Sequence, residues 1–238
     1  MSRVTYDAGT MTITVEGMED VAEALGDLKS KTPAAAKVAI NATAREARKL
    51  MFAKAKARYA VNAAGRRHLK DLTQRKKATN TSLVAELFIA KMGSDLGYFK
   101  NIPSRAYEGA AVSRAPKFFK GKVLKSSGMK ELSGGWRDGY GDVSKGFLIE
   151  FKSGHVGMVQ RDIGSESDNL RTIKNNRPRY IPQGKDKPEK LVTMNAPSAT
   201  AMHSVVWPLV EPDVVEYLQD RLMEQTERII ERAKAKRG

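Results

Sequence analysis

No cysteine occurs in this 238-residue chain, which excludes a disulfide framework, a thiolate metal site and a cysteine nucleophile. Histidine is nearly as scarce. His68, His155 and His203 stand apart, with no HExxH pairing and no cluster, so no zinc site is expected. The glycines at 134, 135, 139, 141 and 146 do not sit between a strand and a helix as a phosphate loop would. No GxSxG elbow or GxxxxGK[ST] loop occurs elsewhere. Long apolar runs are missing too: 1–31 has no signal-peptide core, and no later run approaches the length of a membrane span. The expectation is a soluble chain without a cofactor, a metal or a catalytic residue.

What is present is a globular composition with a basic surplus. Hydrophobic residues make up 41% and charged residues 29%, enough apolar content for a packed core and too much for wholesale disorder. The length suits one large domain or two small ones, and we expect a single domain over 1–238. The formal charge is +15 and the isoelectric point near 9.9, which points to a polyanionic partner. Most of the surplus is local. The stretch Pro33–Lys77 holds thirteen Lys and Arg against Glu46 and Asp71, a net +11.

Periodicity gives the elements. Thr12–Val15 alternates as a short strand, and Val21, Leu25 and Leu28 mark a short helix over Glu19–Lys29. Thr32-Pro33 is a helix start, with Thr as the N-cap and Pro at the first helical position. From there Ile40, Ala44, Ala47 and Met51 form one buried stripe of a helix reaching about Tyr59. Lys37, Arg45, Arg48, Lys49 and Lys56 fall on the adjoining arc, while Lys54 and Arg58 fall back towards the stripe. Gly65 interrupts this pattern, and Arg66–Lys77 reads as a second, very basic helix. Ser82–Lys91 alternates as a strand. The span 93–146 loses periodicity and 162–200 is polar, so both are expected to be extended loops or arms. Between them, Phe147–Lys152 and His155–Gln160 alternate across Ser153-Gly154 as a β-hairpin. Val214, Val215, Leu218, Leu222, Ile229 and Ala233 define a C-terminal amphipathic helix that starts at Pro212 and closes on Arg232, Lys234, Lys236 and Arg237. The fold class is α+β: a small antiparallel β-sheet packed against long α-helices.

Two patterns bear on function. Glu150-Phe151-Lys152 on a strand, preceded by Asp138 and Asp142, resembles the carboxylate–lysine arrangement of Mg²⁺-dependent nucleases. Glu and Lys two apart are equally the solvated face of any exposed strand, and the spacing to Asp142 is short for that metal site. The basic segment carries no finger, homeodomain or RNP signature. Contact with nucleic acid through Arg66, Arg67, Lys70, Arg75, Lys76 and Lys77 would therefore go to phosphates, independent of sequence. The same residues would equally suit an acidic protein neighbour or a solvated helix face.

Ala39-Ile40-Asn41, Arg66-Arg67-His68-Leu69-Lys70, Arg75-Lys76-Lys77-Ala78-Thr79 before a strand, the hairpin residues Lys152-Ser153-Gly154-His155 and Met158-Val159-Gln160-Arg161, and Pro208-Leu209 entering the last helix follow one another along the chain. In this order of parts the sequence resembles the minor tail protein Z family of bacteriophages, the tail completion proteins. The motifs are short, made of common residues, and spread over about two-thirds of the chain. The resemblance implies a structural virion protein, not an enzyme, assembled in the host cytoplasm. It would sit at the head-proximal end of the tail, in the neck, as a ring of copies. Its partners would be the tail terminator, tail tube and head–tail connector, and its basic helices would face either the packaged DNA, by non-specific phosphate contact, or an acidic neighbouring subunit. The alternative is a free non-specific DNA-binding protein or a Mg-dependent nuclease.

Overall fold

The computed structural model describes residues 2–7, 9–15, 18–70, 72–89, 95–107, 114, 116, 118–137, 143–151, 155–161 and 191–237. The architecture is α+β, as the periodicities indicate. The chain gathers into two compact units, one of 1–57, 67–92 and 198–238, the other of 58–66 and 93–197. Among the described residues no helix is long and apolar enough to cross a membrane.

The first unit holds a four-stranded antiparallel sheet in the order β1 (Ser2–Asp7), β2 (Thr10–Val15), β4 (Val84–Ile89), β3 (Leu72–Lys76). Its register places Met11 opposite Leu87 and Ile13 opposite Ala85, and Val4 opposite Ile13. All five are buried, so one face of the sheet is apolar, as period-2 alternation requires. Helix α1 (Met18–Leu25) ends where Gly26 takes φ +52°, a left-handed position that costs glycine nothing. A 3₁₀ turn, Gly26–Lys31, then leads into α2 (Thr32–Arg58). Thr32 does not act as the expected N-cap. It is already helical, and its hydroxyl donates to the Lys29 carbonyl at 2.6 Å, because the chain enters α2 from another helical turn. The expected stripe is in place: Ile40, Ala44, Ala47 and Met51 are fully buried. Lys54 and Arg58 are exposed, while Ala55 between them is buried. The last turn of α2 is thus still packed on one side.

Two elements here differ from expectation. The basic stretch Arg66–Lys77 is not one helix. Helix α3 (Ala63–Lys70) runs through Gly65, and Leu72–Lys76 forms β3 at the sheet edge. Pairing of β3 along β4, from Leu72 opposite Ile89 to Lys76 opposite Glu86, overrides the helical preference of a lysine-rich stretch. A charged edge strand also discourages pairing with a second sheet. Helix α4 (Ala199–Val206) precedes the 3₁₀ turn Trp207–Leu209 and α5 (Glu211–Arg237), the expected amphipathic helix. Val214, Leu218 and Leu222 of α5 are buried.

The second unit contains a sheet of β11 (Leu191–Thr193), β10 (Val156–Arg161), β9 (Val143–Glu150) and β8 (Ser133–Arg137), and a smaller one of β5 (Lys100–Ile102), β6 (Lys120–Lys122) and β7 (Lys130–Glu131). The expected hairpin is the β9–β10 pair, with Glu150 opposite Val156; its turn, 152–154, lies outside the described residues. The span 93–146, expected to be loop, carries β5 to β8 and the start of β9. Such short strands show no apolar alternation and rest on long-range pairing, which hides them from periodicity. In the other expected loop, 162–190 lies outside the described residues, whereas 191–200 includes β11 and the start of α4.

Candidate polyanion interface

Helix α2 places its cations by geometry alone. The core stripe fixes which side faces inward, so Arg45, Arg48, Lys49 and Lys56 are turned to solvent, and all four are exposed. Two later segments of the first unit are tied alongside. Asn41 exchanges two hydrogen bonds with the backbone of Ala78: its Nδ2 donates to the carbonyl at 3.0 Å and its Oδ1 accepts from the amide at 3.1 Å. Seven residues on, Arg48 Nη2 donates to the carbonyl of Lys70 at 3.0 Å. Lys70 Nζ in turn lies 5.5 Å from the centre of the Phe52 ring, a cation–π contact. Arg48 and Phe52 thus seat Lys70 beside the row of α2 cations, and Asn41 ties down Ala78, the residue after the exposed Lys77. Glu46, the one carboxylate of α2, bonds to Lys49 Nζ at 3.0 Å. That exposed pair removes little of the positive potential.

The six basic residues named from sequence fall out differently. Lys70 joins the α2 row through the contacts above, and Lys77 is exposed next to Ala78, which Asn41 holds. Arg66 and Arg67 are exposed on α3, one turn before Lys70, with Arg66 grouped in the second unit. Lys76 stands opposite Glu86 across the β3–β4 ladder. Arg75 lies on β3, with its side chain outside the described residues. The α2 arc was legible in the sequence, but only the Asn41 and Arg48 contacts show which later segments lie beside it.

A second cluster, in the second unit, was missed. Asp95 is buried, and its Oδ1 accepts from the amides of Gly97 at 2.7 Å and Met158 at 3.0 Å. Its Oδ2 lies 2.6 Å from His155 Nε2. The imidazole stacks on Phe151 at 5.8 Å between ring centres and leans on Tyr98 at 4.6 Å. Burial and then the Asp95 charge push the Tyr98 hydroxyl above its ordinary pKa. Both glycines are needed: a Cβ on Gly97 would lie 2.6 Å from the Val156 carbonyl, and one on Gly157 2.7 Å from Asp95 Oδ2. Three donors converging on one carboxylate make this a fastener between the 95–97 turn and β10. His155 and Asp95 are sixty residues apart, so no local motif could announce it.

Of the nuclease-like constellation, Glu150 ends β9 and is exposed; Asp138, Asp142 and Lys152 lie outside the described residues. Among the described residues no group of three or more histidines and carboxylates is placed to hold a metal ion. Comparison with family models, with curated proteins and with solved structures returns no match for this chain.

Proposed function

We propose that the chain is a structural bacteriophage protein, a tail-completion or neck component that takes part in joining the head to the tail. It presents its basic face to a polyanionic partner within the assembly. The observation that carries the reading is the gathering of cations from α2, the end of α3 and the segment after β3 on one side of the first unit, through the Asn41–Ala78 and Arg48–Lys70 bonds. The order of sequence motifs supplies the family. A ring of copies suits such a role, because like subunits repeat one patch around the tail axis, between tail terminator, tail tube and connector. The reading is tested by complementing a phage deleted for this gene with the Arg66→Ala, Arg67→Ala, Lys70→Ala variant. All three side chains are exposed, so the fold is kept. Separate heads and tails should accumulate, and infectious particles at the normal yield would overturn the assignment.

A further inference from the structure

The basic face described above admits one partner better than the others. We infer that the row on α2, with Lys70 beside it, is a sequence-independent site for the phosphate backbone of duplex DNA. This rests on the reading that the face meets a polyanion, and it names which one.

Three observations carry it. The first is dimension. Arg45 to Lys56 spans eleven residues of helix, about 17 Å at 1.5 Å per residue. A duplex carries one phosphate per about 1.7 Å of axis, so a stretch of that length bears about ten charges, of which about half face one side. Arg45, Arg48, Lys49, Lys56 and Lys70 match that number. The second is chemistry. The cores of protein–protein interfaces are rich in aromatic residues and poor in lysine. Here lysine makes up most of the cations. Phe52 is half-buried under Lys70, and Val38, before the first cation, is the one exposed large apolar side chain of α2. The third is order. Arg48 is fixed on the Lys70 carbonyl at 3.0 Å and Lys70 on the Phe52 ring, so part of the row is held in place before a ligand arrives. A backbone-only site needs charges at a fixed spacing and no groove-reading element, and the one amide side chain of α2, Asn41, is already committed to the Ala78 backbone.

The test uses the purified full-length chain and two 20-base-pair duplexes of unrelated sequence, with affinity followed by fluorescence anisotropy across a salt series. Equal affinity for both sequences is expected, with log K falling against log salt at a slope of about −4 to −5 for about five phosphates. From 50 to 200 mM salt that is a loss of several hundred-fold. The Arg45→Gln, Lys49→Gln, Lys56→Gln variant should flatten the slope by about 2.7, since each lost phosphate contact removes about 0.9. Arg45→Lys should bind like the parent. The Lys234→Gln, Lys236→Gln control on the distal end of α5 should leave binding unchanged. No binding at 50 mM salt, a slope near zero, or a triple variant that binds like the parent while melting normally would overturn the proposal. If that variant still joins heads to tails, the assembly reading stands with an acidic protein on this face. If DNA binding holds but the chain is absent from particles, the assembly reading fails alone.

Discussion

His203 makes the first unit acid-sensitive in a way that can be worked out beforehand. It sits on α4 with no solvent exposure, and its Nε2 lies 3.1 Å from the carbonyl of Leu69. That contact fixes the neutral tautomer with the proton on Nε2. Nδ1 is buried with no partner among the described residues, so a second proton there would be an unsatisfied charged donor. Burial lowers the imidazole pKa from 6.5 to about 4, against a smaller opposing effect of the Leu69 carbonyl. The sign follows by linkage. Above pH 6.5 both folded and unfolded states are neutral at this site, and it costs nothing. As pH falls from 6.5 to about 4 the unfolded chain takes up a proton that the folded chain refuses, so stability falls. Below about 4 both are protonated and the loss is complete. At about 1.36 kcal/mol per unit, the shift amounts to about 3 kcal/mol. Urea denaturation at pH 7, 6 and 5, followed by the fluorescence of buried Trp207, should show the midpoint dropping as pH falls. The His203→Gln variant, whose amide can still donate to Leu69, should lose most of that pH dependence and be less stable than the parent at pH 7. If the parent's midpoint is the same at pH 7 and 5, or the variant keeps the full slope, His203 is not held neutral by burial.

Other consequences follow from packing and hydrogen bonding. Ala47→Leu puts three extra carbons where Ala47 has no exposure and should cost about 1–3 kcal/mol by overpacking, seen as a lower thermal midpoint. Asn41→Ala removes both bonds to Ala78 and should cost about 1–3 kcal/mol through the groups left unpaired; amide exchange at Ala78 should quicken with it. In the second unit, Asp95→Ala should accelerate exchange at the Gly97 and Met158 amides, which donate to that carboxylate, with exchange in β1 and β2 unchanged. Gly97→Ala should weaken the same turn, because its Cβ would sit 2.6 Å from the Val156 carbonyl.

Helices α2 and α5 were legible because their burial is one-sided. The stripe of Ile40, Ala44, Ala47 and Met51 repeats at the helical period and is buried throughout, whereas in the C-terminal stripe Val214, Leu218 and Leu222 are buried and Val215, Ile229 and Ala233 are half-buried. The β9–β10 hairpin was legible from alternation. What stayed hidden depends on distant partners. Strand β3 is a run of polar and basic residues that is a strand only because β4 offers an edge, and β5 to β7 are two or three residues each. The cationic face was half visible. Helical geometry gives the α2 row, but the seating of Lys70 and Ala78 needs bonds spanning 22 and 37 residues. The Asp95–His155 fastener has a separation of sixty and no pattern of its own.

We propose that this chain is built into a virion at the joint between head and tail. Immunogold labelling of purified particles, with an antibody against the chain, tests it most directly. Gold is expected at the head-proximal end of the tail and nowhere else on the particle. Label confined to the tail tip, or a chain found only in the soluble lysate and absent from particles, would contradict it.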